Sequence, residues 1–254
     1  MALIFGIHAV EEALAARGRA FEYVAVALGR SDHRLQKISQ LCREAGVPLR
    51  PMPRDQLTRL ANTASHQGVV AVTAEKRYDD LDDLLQKKRG IHAFVVVLDG
   101  VEDPHNLGAI IRTAEGAGAD GLVIPERRAA GVTPVVVKAS AGASEHLPIA
   151  RVTNVNRTIE ELKSRNIWTV GLDERGTQLY DQVDYKVDCA LVLGAEGHGL
   201  HEQVRKKCDF LVSIPMLGKV PSLNVSVAAA IVMYEIARQR RNQGQQPDPT
   251  QGNS

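Results

Sequence analysis

The sequence predicts an α/β protein whose larger, C-terminal part is built on a mostly parallel sheet. Three observations predict it. Short apolar runs alternate with amphipathic segments along most of the chain, the pattern of strands joined by helical crossovers. One run, AFVVVL at 93–98, is apolar without a break, as a strand buried on both faces requires. At 254 residues, 44% hydrophobic and 24% charged, the chain has ordinary globular composition and enough length for two modest cores.

In chain order, residues 4–6 form a short strand and 8–16 a helix. Residues 23–28 form a strand, 35–45 an amphipathic helix closed by Gly46, and 68–74 (GVVAVTA) another strand. Residues 1–75 are thus one α/β unit. The segment 76–90 contains YDDLDDLLQKKRG, acidic first and basic last, which suits the dipole of a short helix; it is the linker. Residues 91–241 are the second unit. Strands are expected at 93–98, 121–124, 167–172, 190–193 and 210–214, and helices at 107–117, 134–141 and 153–165, the last with Thr153 as its N-cap. A long helix over 222–240 ends the fold. The tail 242–254, NQGQQPDPTQGNS, has no apolar anchor and is expected to be disordered.

No stretch is apolar enough to span a bilayer, and the N-terminus places two acids directly after a short apolar run, unlike a secretory signal. A cytoplasmic protein is expected. Cys42, Cys189 and Cys208 have no C-x-x-C spacing, and His198 and His201 lack a third ligand nearby, so no metal site is predicted. Net charge is +1; residues 1–90 carry 14 basic against 11 acidic side chains, +3, and the remainder 17 against 19, −2. Any nucleic acid must therefore be held by local patches.

Gly116-Ala117-Gly118-Ala119-Asp120-Gly121 matches G-x-G-x-x-G, but it closes a helix and opens a strand. A dinucleotide site needs the reverse order, with a helix N-terminus at the pyrophosphate, so this run is a helix cap and turn. Three other segments carry the chemistry. In LDGVEDPHNLGAIIR (98–112) a buried strand ends in turn residues and a helix begins near Asn106; ligands in such sheets bind at the carboxyl ends of strands. Arg112 lies six residues on, under two turns, so both side chains are expected to lean toward one site. In LVLGAEGHGL (191–200) glycines surround Glu196 and allow close approach of a ligand. In IPMLGKVPSLNVSVAAA (214–230) an irregular loop runs into a helix start bearing Ser222, Asn224 and Ser226. From spacing alone Arg112 is either a site residue or a surface arginine, Glu196 a site residue or a turn residue, and Ser222 and Asn224 site residues or helix caps.

Together, DPHNLGAIIRTAEGAGADG, LVLGAEGHGL and IPMLGKVPSLNVSVA, in this order, resemble the SpoU/TrmH family of SPOUT RNA methyltransferases. IFGIHAVEEAL (4–14) and HQGVVA (66–71) resemble the family's N-terminal substrate-binding domain, similar in fold to ribosomal protein L30e, so the likeness runs from about residue 3 to 240. Within the family the chain is most similar to bacterial 23S rRNA (guanosine-2'-O)-methyltransferases. The resemblance implies an N-terminal L30e-like α/β domain, a C-terminal SPOUT α/β domain with a trefoil knot, and a homodimer with each site near the interface. It implies S-adenosylmethionine as cofactor, held by Gly194, Ile214, Met216 and Leu223, and RNA, 23S rRNA, as partner. It implies Asn106, Arg112, Glu196, Ser222 and Asn224 as the polar active-site residues. A tRNA substrate of the same chemistry, or an inactive rRNA-binding module, is the alternative.

Overall fold

The computed structural model describes residues 1–29 and 33–241; the expectation for the tail 242–254 lies outside them. The first sheet has four strands, β1 (Ala2–Phe5), β2 (Phe21–Ala27), β3 (Leu49–Met52) and β4 (Val69–Thr73), in the order β1-β4-β2-β3. Only β2 and β3 run parallel. Helices α1 (Ile7–Ala16) and α2 (His33–Ala45) bury Val10, Leu14, Leu35 and Ile38 on one face, and α3 (Arg54–Ala61) lays Leu57 on the other. Neither β3 nor α3 is visible in the sequence pattern. LRPM carries a proline because β3 is the sheet edge, where a missing N–H costs no ladder bond. The HQG turn is built around His66, fully buried: its Nδ1 accepts the Gly68 N–H at 3.0 Å, which leaves Nε2 to donate to Thr58 Oγ1 at 3.1 Å. Burial, with Arg54 and Lys138 nearby, pushes the His66 pKa down and keeps this arrangement neutral.

The second sheet has seven strands, all paired in parallel: β5 (Phe94–Asp99), β6 (Gly121–Pro125), β7 (Ile149–Val152), β8 (Trp168–Leu172), β9 (Gln178–Leu179), β10 (Cys189–Gly194) and β11 (Phe210–Ser213). Their spatial order is β7-β6-β5-β10-β8-β11-β9. Every residue of β5 is buried, because Phe94, Val96 and Leu98 pack on one face and Val95 and Val97 on the other. One face is covered by α5 (Pro104–Gly116), α6 (Pro134–Ala139) and α9 (Val225–Arg241). The other is covered by α4 (Leu81–Gln86), α7 (Val155–Ser164) and α8 (Glu202–Lys207). No helix among the described residues is long and apolar enough to cross a membrane.

The segment expected as a linker is folded onto this sheet. Leu84 and Leu85 of α4 are buried with Val95 and Ile159, and the Asp79 N–H donates to Ile149 O at 2.9 Å. Three helix starts differ from expectation, each because a better cap is at hand. Asn154, not Thr153, caps α7, its Oδ1 accepting from Arg157 N at 3.2 Å. Asp103 caps α5 through His105 N and Asn106 N, with Pro104 in the first position. Asn224 accepts from Ser226 N at 2.9 Å, so α9 starts at Val225 rather than Ser222.

The two sheets share packing through α6, whose Val137 is buried in the α1–α2 core. Arg19 donates to both carboxylate oxygens of Glu145, at 2.8 and 2.6 Å, with both side chains almost fully buried. Such a pair orients two surfaces more than it stabilises them, because desolvation offsets most of the attraction.

Candidate active site

The carboxyl ends of β10, β8 and β11 and the start of α9 enclose a cleft of about 370 Å³. It forms there because strand ends leave backbone groups unpaired and the following turns set the walls. One wall is 194–199. A Cβ on Gly194 would lie 2.1 Å from the Gly199 carbonyl carbon, so the two ends of this turn touch backbone to backbone. Gly197 and Gly199 take φ of 80° and 66°, which other residues adopt at a cost. The opposite wall is 214–224, with Ile214, Met216 and Leu223 facing the cleft. Among the described residues, 215–223 make no backbone–backbone hydrogen bond, so their carbonyls and amides are available to a ligand.

At the rim, three side chains from three separate segments join in one hydrogen-bonded line. Asn106 Nδ2 donates to Glu196 Oε2 at 2.9 Å. Asn224 Nδ2 donates to Asn106 Oδ1 at 3.0 Å. Asn224 Oδ1 in turn accepts from Ser226 Oγ at 2.6 Å. Asn106 is 7% exposed, whereas Glu196 and Asn224 are open to the cleft. The line fixes Asn106 completely and leaves one Glu196 oxygen free. Ser222 lines the cleft with no hydrogen-bond partner among the described residues.

The structure thus brings Asn106, Glu196, Ser222 and Asn224 together with Gly194, Ile214, Met216 and Leu223. It does not bring Arg112 to them. Six residues rotate a helix by about 600°, so Arg112 points about 120° away from Asn106. The side chain is exposed, outside the cleft and without a hydrogen bond among the described residues. Length along the helix permitted a shared site; the phase of the helix does not.

Sequence reasoning missed the third wall, 172–175 after β8. There Asp173, buried, accepts from Arg175 Nε at 2.8 Å, Nη2 at 3.0 Å and backbone N at 3.0 Å. Burial pushes the Asp173 carboxyl up, and the Arg175 contacts outweigh it, holding the group below the ordinary carboxylate range. A Cβ on Gly199 would meet Asp173 Oδ2 at 3.3 Å, so this pair braces the glycine turn. Its place at a strand's carboxyl end was the available signal. His198 lines the cleft, but His201 turns away to Asp99, and no cluster of three metal-ligating side chains occurs among the described residues. The glycine run 116–121 does cap α5 and open β6, at the end of the sheet away from the cleft.

A parallel sheet with a glycine-walled cleft at its carboxyl edge and polar side chains converging on the rim has the architecture of α/β proteins that take a small molecule at the strand ends. The model of the SpoU rRNA Methylase family matches residues 93–234, and that described as RNA 2'-O ribose methyltransferase substrate binding matches 3–79. The chain is 48% identical over 212 residues to a Bacillus subtilis protein named for the TrmH family of tRNA/rRNA methyltransferases, covering 83% of this chain and 85% of that one. It resembles the SpoU methyltransferase AviRb of Streptomyces viridochromogenes, solved with AdoMet, at TM-score 0.79 and 31% identity, over 94% of this chain and 90% of that one. It resembles an AdoMet-bound rRNA methyltransferase of Sinorhizobium meliloti at TM-score 0.78 and 26% identity, over 93% and 87%. The chain belongs to the SpoU/TrmH family of RNA methyltransferases.

Proposed function

We propose that this chain transfers the methyl group of S-adenosylmethionine to a ribose 2'-hydroxyl of RNA, a guanosine of 23S rRNA. The observation that carries the reading is the line Glu196–Asn106–Asn224 at the rim of a cleft walled by backbone. The cleft fits the cofactor. Ile214, Met216 and Leu223 offer an apolar bed for adenine, the unbonded backbone of 215–223 suits its polar edge and ribose, and the close Gly194–Gly199 contact leaves no side chain in the way. When bound, the cofactor supplies a methyl group on a sulfonium with a neutral leaving group.

The chain's own task is alignment and charge. Asn106, locked at both ends of its amide, sets the position of Glu196 and Asn224. The Ser222 hydroxyl is free to orient the ribose or the cofactor carboxylate. Positioning of this kind supplies about 7–11 kcal/mol in favourable cases. An arginine stays protonated near neutrality, so Arg112 orients a substrate phosphate and the hydroxyl, and phosphate or solvent takes the proton.

The RNA partner is supported by the substrate-binding unit at 3–79 and by the rRNA methyltransferase that matches over nearly the whole chain. The reaction is set in the cytoplasm. The active form is a homodimer: Leu217, Val220, Val227 and Tyr234 are exposed apolar side chains on the cleft loop and α9, at 99%, 66%, 49% and 55%. Because Arg112 lies outside its own chain's cleft, the dimer gives it a site to serve.

The test is transfer of labelled methyl to unmodified 23S rRNA, 16S rRNA and total tRNA in parallel, with products mapped by nuclease digestion and mass spectrometry. One 2'-O-methylguanosine in 23S rRNA is expected. Label in tRNA alone keeps the chemistry and overturns the substrate. Cofactor binding without label in any RNA overturns the enzyme in favour of a binding module.

A further inference from the structure

A second cleft, of about 430 Å³, lies on the same carboxyl edge of the large sheet, beside β5, β6 and β7. Arg127 and Arg128, from the loop after β6, line it together with Asp99, His201, Glu202 and Asn156. Its acids are already paired. Asp99 accepts His201 N at 2.8 Å and lies 3.0 Å from His201 Nδ1, and Glu202 pairs with Arg205 at 2.5 Å and Lys206 at 3.3 Å. Glu126 is next to the arginines in sequence but does not line the cleft. Arg127 and Arg128 are exposed and make no hydrogen bond or ion pair among the described residues. No acid of the cleft pairs with either guanidinium. Asn156 lines it as well.

The loop that presents the arginines is fixed at both ends. Glu126 N donates to Val152 O at 2.9 Å, and Ala130 N to Val101 O at 3.0 Å. Arg128 is held between them at φ 55°, a left-handed conformation that a non-glycine residue adopts at a cost. The two clefts adjoin at Gly100. A Cβ there would lie 3.5 Å from Ala195 Cβ, on the wall of the first cleft, 3.3 Å from His201 Cε1 and 4.0 Å from Arg128 O, both in the second.

We propose that this second cleft binds the sugar–phosphate backbone of the substrate RNA next to the methylated nucleotide, with Arg127 and Arg128 on the phosphates. This rests on the RNA-methyltransferase reading and adds to it the path of the strand. Guanidinium groups suit phosphate, whose oxygens match their paired N–H groups. Contacts of this kind set register without reading bases. The strand then runs from the methyl-transfer cleft across Gly100 toward α7, rather than toward β9.

The test compares the wild-type protein with Arg127→Gln/Arg128→Asn and with Arg127→Lys/Arg128→Lys, using unmodified 23S rRNA transcript and a mixed-sequence single-stranded RNA oligonucleotide. Asparagine suits the left-handed backbone at 128, so the neutral pair should fold with an unchanged Tm. Each phosphate contact contributes about 0.7 to the slope of log Kd against log[salt] for single strands. The neutral pair is expected to bind RNA about tenfold more weakly at low salt, with a slope shallower by about 1.4, and S-adenosylmethionine as tightly as wild type. The lysine pair, which keeps the charge, is expected to keep the slope. A neutral pair with wild-type RNA affinity and slope overturns the proposal while leaving methyl transfer intact. So does a lysine pair that falls as far as the neutral one. Wild-type protein that transfers no methyl and binds no RNA overturns the underlying reading as well.

Discussion

Asn106 is the side chain through which the rim of the cleft is organised. Its amide is used at both ends, donating to Glu196 and accepting from Asn224, and it is 7% exposed. Asn106→Ala removes both bonds at once and strands the Glu196 and Asn224 side chains from each other. Ile214, Met216 and Leu223, the apolar bed proposed for the cofactor, line the cleft, and Asn106 does not. The expected outcome is a methyl-transfer rate lowered about 10²-fold, as for a misplaced catalytic group, with a cofactor Kd within a factor of about three of wild type. Single-turnover transfer and equilibrium dialysis read the two quantities separately. Equal losses in both would mean that Asn106 supports the cofactor rather than the substrate hydroxyl.

The strands of the large sheet and its long helices were legible in the sequence, because burial on both faces leaves AFVVVL and LVLG no other reading. β3, β7, β9, α3 and α8 were not. They are short, and β3, β7 and β9 are edge strands, so neither periodicity nor continuous apolarity marks them. Of the site, the strand-end motifs were legible, and so was the phase of Arg112: six residues at about 100° each turn it away from Asn106, which an expectation built on length along the helix alone overlooks. The Asp173–Arg175 brace was hidden because an ion pair two residues apart looks like any charged turn. Arg240 shows the same limit at a helix end. The sequence presents it as one of several basic residues closing α9. In the fold it donates from Nε to Tyr185 O at 2.9 Å, from Nη1 to His92 O at 3.0 Å, and from Nη2 to Ala93 O and Val187 O at 2.9 and 2.7 Å, and it faces the Phe94 ring at 5.4 Å. That fork ties α9 to the amino ends of β5 and β10, far from the cleft. Lysine keeps the charge but has one nitrogen for four carbonyls. Arg240→Lys is expected to cost about 2–3 kcal/mol and to lower Tm by roughly 4–10 °C, with transfer at 25 °C unchanged. A thermal melt beside a transfer assay checks it, and a Tm within a degree of wild type would remove α9's anchor from the account.

At the scale of the whole molecule, the proposed homodimer sets the part proposed for Arg112. Along α5, Arg112 lies one turn before Gly116, and the Tyr234 hydroxyl stands 3.3 Å from where a Gly116 Cβ would be. Residues four apart share a helix face, so Arg112 sits on the stripe that borders the exposed edge of α9 with Val227 and Tyr234. That edge is the surface proposed for the homodimer. Closing the twofold there carries each Arg112 toward the other chain, away from its own Asn106. Mixing two inactive proteins distinguishes the arrangements. Arg112→Ala and Asn106→Ala protomers, unfolded together and refolded in equal amounts, give half mixed dimers. If Arg112 acts across the interface, each mixed dimer has one site with both changes and one with neither, and roughly a quarter of wild-type activity returns. If Arg112 acts within its own chain, every site in every dimer carries a defect and no activity returns. Recovery near a quarter would make the dimer the catalytic unit and explain why a single chain leaves this arginine unpaired. No recovery, with mixed dimers verified by native mass spectrometry, would return Arg112 to its own cleft and require α5 to move when RNA binds.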